Sequence, residues 1–317
     1  DQVNQLPICR SGMPDRQKGD NMEQKKPILG FLGFGEAGYS LASGFHSQEG
    51  LNDIFVYDAM QDDPKLASKL ADKRAALGAV RMENEGDVAA NADIIFMALP
   101  SNCAVNCVIN AAKGIRPGVI FVDASTATAA DKRRESEIIL DKGAHFVDGA
   151  MLGALPLKKH KVPMTITGEG CRQMMDLMAP YHMNLDYQGE EPGKATSIKF
   201  VRSVFTKGMQ ALAIETVRTA QHFGVEELVI ASIKDTLAAD IDYNLARWLG
   251  SPIQHAKRRS HEMANAIDAM KADGLPTTMA EAVKAKLDWL DAQNYMQFFP
   301  DGIPEDWHEI IRRWPVD

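Results

Sequence analysis

The stretch Ile28-Leu29-Gly30-Phe31-Leu32-Gly33-Phe34-Gly35-Glu36-Ala37-Gly38 decides the fold. It opens as an apolar run of strand type. It then breaks into Gly33-Phe34-Gly35-Glu36-Ala37-Gly38, a G-x-G-x-x-G, before a helix expected over 37–48. In such a strand–turn–helix the first glycine permits the tight turn, and the second lets the backbone approach a pyrophosphate. The third lets the helix pack on the strand. Exposed N–H groups and the positive end of the helix dipole hold the phosphates.

A glycine pattern alone is weak, because glycine-rich turns are common. The context strengthens this one. A second apolar strand, Ile54-Phe55-Val56-Tyr57, ends in Asp58, 20 residues past Gly38 (58 − 38). An acidic residue at that distance meets the adenosine ribose hydroxyls. Its carboxylate repels a 2′-phosphate, and no Arg follows in Ala59-Met60-Gln61, so the sequence favours NAD over NADP.

Outward from there, strands over 94–99, 119–122 and 145–148 alternate with helices over 64–77, 85–90, 104–112 and 129–142. The run Ile94-Ile95-Phe96-Met97-Ala98-Leu99 is apolar nearly throughout, as expected of a strand covered on both faces. The alternation predicts a doubly wound, mostly parallel sheet of Rossmann type. Ligands in such sheets sit beyond the carboxyl ends of the strands. One rim therefore carries the turn 33–38, Asp58, Leu99-Pro100-Ser101 and Asp123-Ala124-Ser125-Thr126. Further strands are expected over 163–167 and 184–188. After the break Gly189-Glu190-Glu191-Pro192-Gly193 everything reads as helix, near 194–222, 226–248, 253–272, 278–292 and 304–313. The division is thus a dinucleotide-binding domain over 27–190 and an all-helical substrate and dimerisation domain over 191–317. Residues 1–26 are polar and read as a disordered extension, with Met22 a plausible natural start.

The helix expected from 194 has apolar residues around much of its circumference, including Val201, Val204, Phe205 and Ile214. Such a helix is buried, between domains or between the subunits of a homodimer. A net charge of −8 argues against nucleic acid as a partner, and no run of 18 apolar residues marks a membrane span. Four cysteines in 317 residues form no disulfide framework, so reduced thiols and a cytoplasmic location are expected. No metal-ligand spacing and no nucleophile elbow appears.

Three groups could carry chemistry. A hydroxyl of Asp123-Ala124-Ser125-Thr126 can donate to a substrate carboxylate or carbonyl; equally, Ser125, Thr126 or Thr128 can cap the next helix. Lys199, six residues past Gly193, would titrate within reach of a general base if desolvated, or would snorkel to solvent. His255, Lys257, Arg258, Arg259 and His261 form a basic cluster that either recognises an anion or is a solvated face.

Together these motifs resemble the β-hydroxyacid dehydrogenase family, which includes 3-hydroxyisobutyrate and 6-phosphogluconate dehydrogenases. Gly30 to Gly38 is similar to the family's opening, and Leu99-Pro100 to its loop after the fourth strand. Asp123-Ala124-Ser125-Thr126 is similar to its D-x-S-T substrate motif. Gly193-x-Ala195-x-x-x-Lys199 is similar to the segment that carries its catalytic lysine. The resemblance implies Lys199 as general acid/base, Ser125 as substrate contact, and a cofactor cradle of Gly33, Phe34, Gly35, Glu36, Ala37, Gly38, Asp58, Leu99, Pro100, Ser101 and Thr126. Two segments depart from the pattern. Met151-Leu152-Gly153 stands in a segment that is serine- and glycine-rich in the family, and Ser203 stands in place of an Asn. Met151, Gly153 and Ser203 are therefore candidate substrate positions of a divergent branch, with Arg259 replacing lost contacts. The implied activity is hydride transfer between NAD(P) and the secondary alcohol of a small anionic hydroxyacid. Imine reduction, oxidative decarboxylation and non-catalytic nucleotide sensing are the alternatives.

Overall fold

The computed structural model describes residues 26–48 and 53–315. Residues 1–25, with Met22 and Cys9, lie outside the described residues. The chain divides into two compact units, Asp1–Phe200 and Val201–Asp317.

The first unit alternates strand and helix. Its elements are β1 (Leu29–Leu32), α1 (Glu36–His46), β2 (Ile54–Tyr57), α2 (Ala67–Ala75), β3 (Val80–Arg81), α3 (Glu85–Asn91), β4 (Ile94–Met97) and α4 (Ala104–Ala111). There follow β5 (Ile120–Asp123), α5 (Ala129–Leu140), β6 (His145–Met151), α6 (Leu155–Lys158), β7 (Met164–Thr167), α7 (Cys171–Met178) and β8 (Leu185–Tyr187). The eight strands form one sheet in the order β3-β2-β1-β4-β5-β6-β7-β8. All pair parallel except β6 with β7, which are antiparallel.

Strand periodicity builds the core. Phe31 and Phe96 enter one cluster with Leu41 and Phe45 of α1. Their neighbours Leu32, Ile95 and Met97 enter another, with Val108 of α4 and Phe121. Successive strand side chains point to opposite faces, so both faces are apolar where both are covered. Helix starts follow capping chemistry: Asn84 accepts the Asp87 N–H ahead of α3, and Thr128 with Asp131 forms a capping box ahead of α5.

Helix α8 (Lys194–Phe223) begins in the first unit and runs into the second. It is followed by α9 (Glu226–Leu237), α10 (Ile241–Ala272), α11 (Thr278–Gln293) and α12 (Trp307–Arg313). In the second unit, Ile267 and Met270 of α10 pack with Ala280 of α11. A second cluster joins Ile253, Leu290, Tyr295, Phe299 and Ile310. Glu215 of α8 accepts the Met279 and Ala280 N–H groups at the start of α11, at 2.9 and 2.8 Å.

Two sequence expectations are corrected here. The helix expected over 226–248 is broken before Ile241, where Asp240 caps α10 by accepting the Asp242 N–H at 2.8 Å. The separation expected before Ile253 falls instead at a kink at His255 (φ −127°, ψ 20°), three residues past Pro252, with helix on both sides. On the apolar helix from Lys194, Val201 is 74% exposed in the single chain and Val204 78%.

Candidate functional site

The strand order reverses between β1 and β4, whose carboxyl ends open a crevice, the usual ligand position in such sheets. The glycine turn shapes it. Gly33 takes φ +86°, and a Cβ there would stand 2.5 Å from the Ala98 carbonyl oxygen. A Cβ on Gly38 would stand 2.0 Å from the Gly33 carbonyl oxygen, so helix and strand touch as backbones. Gly35 differs: nothing lies within 4 Å of its Cβ position. The space that a side chain would fill there is the space a pyrophosphate needs. The residues fit a dinucleotide.

A cavity of about 860 Å³ opens at this turn. Gly33, Gly35, Glu36, Asp58, Leu99 and Pro100 line it, as the sequence suggests. The remaining predicted cradle residues do other work or stand aside. Phe34 turns its ring into the core, edge-on to Phe31 at 6.3 Å, and only its backbone faces the turn. Gly38 lies buried in the turn and Ala37 half-buried beside it, while Ser101 and Thr126 are exposed and do not line the cavity.

Two charged side chains brace the turn. Asp58 accepts the Phe34 N–H at 2.6 Å and the Met60 N–H at 2.9 Å. Lys73 of α2 donates to the carbonyls of Phe34 at 3.1 Å and Gly35 at 2.8 Å. Lys73 sits lower on the pH scale than a free lysine, through burial first and repulsion from Lys69 second. Lys69 and Lys73 both line the cavity, so the cations here come from α2. A search for Arg directly after Asp58 misses them.

Beyond β5 and β6 lies a buried ionic cluster. Register sets Asp123 beside Asp148, and Asp148 opposite Thr167, across three adjacent strands. Lys132 of α5 reaches Asp123 Oδ2 at 2.7 Å and Asp148 Oδ1 at 3.3 Å, with all three side chains fully buried. Its ammonium also donates to the carbonyls of Asp123 at 2.8 Å and Ser125 at 3.3 Å. Burial pulls Lys132 down, but the two carboxylates outweigh it, and the net direction is up. Asp123 is held low by Lys132 against the cost of burial. Glu135, one turn further along α5, is buried beside them and is pushed up to about 10, by burial first and by the neighbouring Asp123 second. Removing one partner of a buried ion pair typically costs about 3–5 kcal/mol, because a buried charge is left uncompensated.

Of the two predicted catalytic residues, Ser125 adjoins this cluster, and Lys199 lies on the helix whose first turn Asp148 holds. Ser125 is buried; its N–H donates to Asp123 at 2.7 Å and its Oγ accepts the Ala127 N–H at 3.2 Å. Thr128, not Ser125 or Thr126, caps α5. Lys199 is half-buried on α8, one turn past Thr196. Asp148 accepts the N–H groups of Gly193 at 3.1 Å and Thr196 at 3.0 Å, and so fixes the start of that helix. Met151 ends β6 and pairs with Met164; Gly153 is exposed beside Pro163 and Val162. Ser203 is half-buried further along α8, and Arg259 donates to Ser251 Oγ at 2.6 Å within α10. Ser203 and Arg259 belong to the second unit, the other positions to the first. Among the described residues no cluster of three or more His, Cys, Asp or Glu side chains could hold a metal, and no helix is long and apolar enough to cross a membrane.

A doubly wound sheet with this glycine turn defines a dinucleotide-binding domain. Comparison with known proteins extends this. Residues 28–180 match the NAD binding domain of 6-phosphogluconate dehydrogenase, and residues 220–290 match a domain of unknown function, DUF1932. These matches indicate an NAD-dependent oxidoreductase of the 3-hydroxyacid dehydrogenase type, with a helical C-terminal region that matches a separate domain.

An uncharacterized 28.5 kDa protein of Methanothermus fervidus is 23% identical over 257 residues, 81% of this chain and 96% of that protein. The 2-(hydroxymethyl)glutarate dehydrogenase of Eubacterium barkeri is 29% identical over 134 residues. That match covers 41% of this chain and only 42% of the enzyme. Among solved structures, a conserved protein described as similar to 3-hydroxyacid dehydrogenases is 27% identical, with TM-score 0.54, over 84% of this chain and 99% of its own. An imine reductase of Streptomyces aurantiacus shares the fold at 15% identity and TM-score 0.70, over 84% and 95% of the two chains.

Proposed function

We propose that the protein transfers a hydride between NAD(P) and the alcohol carbon of a small anionic hydroxyacid, with Lys199 as general acid/base. The observation that carries this reading is the anchoring of α8. Asp148, midway along β6, holds the first turn of the helix, and Lys199 follows one turn later. The nicotinamide, when bound, supplies or accepts the hydride. Lys199 Nζ takes the hydroxyl proton during oxidation and returns it during reduction. Ser125 Oγ donates to the substrate carboxylate. Holding the alcohol carbon in line is where most of the rate arises.

Asp58 at the ribose end supports a preference for NAD, with Lys69 and Lys73 close enough in the same cavity to admit NADP. The relative that acts on 2-(hydroxymethyl)glutarate widens the expected substrate beyond secondary alcohols to hydroxymethyl acids. Met151, Gly153, Ser203 and Arg259 remain candidate substrate positions. The exposed apolar side chains Val201, Val204, Phe205 and Ile214 of α8, with Leu228 of α9, support a homodimer through these helices. Free thiols at Cys103, Cys107 and Cys171 fit a reducing, cytoplasmic setting.

The test is reduction of NAD and NADP, read as NADH or NADPH fluorescence, against a panel of hydroxyacids, hydroxymethyl acids and amines. Turnover on an acid, cut at least about 10²-fold by Lys199→Ala with cofactor affinity kept, is the expected result. Turnover of amines alone, or turnover that survives the substitution, overturns the lysine–alcohol reading. Cofactor binding with no turnover on any of them leaves a nucleotide sensor.

A further inference from the structure

Helix α5 presents an unusual inward face. Its buried positions are Lys132, Glu135, Ser136 and Ile139, at the helical spacing where a core-facing helix normally carries apolar residues. The proposed chemistry uses none of the first three. Yet Lys132 is fully buried, touching the backbone of the Ser125 loop directly and the start of α8 through Asp148. On one side its ammonium binds the Asp123 carboxylate and the carbonyls of Asp123 and Ser125, at 2.7, 2.8 and 3.3 Å. On the other it binds Asp148 Oδ1 at 3.3 Å. The second oxygen of Asp148 accepts the Gly193 and Thr196 N–H groups, and its third contact is the Thr167 hydroxyl at 3.4 Å. The Thr167 hydroxyl in turn accepts the Ala195 N–H at 3.3 Å.

We propose that Lys132 is a positioning residue for the reaction. It ties the Ser125 loop to the first turn of α8, so that the Ser125 hydroxyl and the Lys199 amine keep one fixed geometry. The inference rests on the proposed roles of Ser125 and Lys199, but the tie itself is a separate statement and is tested separately. Three features make it a tie rather than a filler. Lysine here donates to the carbonyls of Asp123 and Ser125 while its charge pairs with carboxylates of two different strands, β5 and β6. A core helix needs no charge at that position, and an apolar residue of similar length would leave two facing carboxylates unbridged. Gly193 completes the arrangement: at φ +95°, its Cβ position lies 2.8 Å from the Ala129 carbonyl oxygen, so the start of α8 lies backbone against backbone on the start of α5.

The experiment compares Lys132→Met and Asp148→Asn with the parent chain by hydrogen exchange, cofactor titration and the pH profile of kcat. The Asp148→Asn change keeps an acceptor for the helix N–H groups but removes the carboxylate that Lys132 holds. It stands in if Lys132→Met fails to fold. Expected is an exchange rate raised at least tenfold at 125–127 and 193–199, with amides of β1 and α1 unchanged. NADH affinity stays within threefold. The value of kcat falls about 10²-fold, the usual cost of misplacing reacting groups by an ångström, and the limb of the pH profile that reports Lys199 moves. Exchange accelerated evenly across the sheet, or an unmoved pH profile at full kcat, overturns the proposal. If Lys199→Ala itself retains turnover, the role of the lysine is wrong, while the exchange pattern still decides whether Lys132 couples the two segments.

Discussion

The substitution Glu135→Gln tests the buried cluster most sharply. Glu135 ionises near 4.5 when free and is pushed up to about 10 in the fold, by burial first and by the neighbouring Asp123 second. The sign follows from linkage. Between these values the folded chain holds a proton that the unfolded chain has released, so stability falls as pH rises. One proton corresponds to about 1.4 kcal/mol per pH unit, or about 3 kcal/mol between pH 6 and pH 8. The amide of the Glu135→Gln variant would present a hydrogen-bond donor to Asp123 with no proton to release. The variant should therefore lack this slope and should gain on the parent steadily as pH rises through that window. All four tryptophans (Trp248, Trp289, Trp307 and Trp314) lie in the second unit, so tryptophan fluorescence reports the wrong half. Amide exchange of β5 and β6 between pH 6 and pH 8, corrected for intrinsic rates, reads the right one. Parallel stability profiles for the two proteins would refute the buried proton on Glu135.

Three other substitutions probe the turn, the cofactor preference and the exposed helix. Gly35→Val puts a side chain into the open space at the turn; cofactor affinity should fall at least about 10²-fold, with a loss of about 1 kcal/mol in stability from the altered helix start, as titration and melting will show. Asp58→Ala removes the carboxylate opposed to a 2′-phosphate, and the NADP-to-NAD ratio of kcat/KM should rise about tenfold or more, with Lys69 and Lys73 left to receive the phosphate. An unchanged ratio would place cofactor choice elsewhere. Val204→Glu puts a charge on a residue 78% exposed in the single chain. Losing a buried valine costs about 1.5–3 kcal/mol, and a two-fold interface counts it twice. Sedimentation should show the parent as a dimer and the variant as a monomer at micromolar concentration.

Much of the first unit is legible in the residues. Apolar runs such as Ile94–Met97 mark strands, and the glycine spacing marks the turn, because both patterns reflect local backbone and solvation rules. The ionic cluster is not legible that way. The segment Asp131-Lys132-Arg133-Arg134-Glu135-Ser136-Glu137 reads as a solvated charged face, and only the register of β5 against β6 turns Lys132 and Glu135 inward onto two aspartates. A signal existed: Asp123 and Asp148 each follow an apolar run of strand type, and a buried carboxylate demands a partner. The kink at His255 was also hidden, because Pro252 with Gly250 reads equally well as a helix end.

The braces on the glycine turn bear on how a cofactor is received. With Asp58 holding one N–H and Lys73 two carbonyls, the loop already has its shape before anything arrives. Association then needs no ordering of that loop, and little of the binding free energy is spent on entropy there. Damage to either brace should consequently appear as slower capture and a more unfavourable binding entropy, with the folded state itself almost untouched.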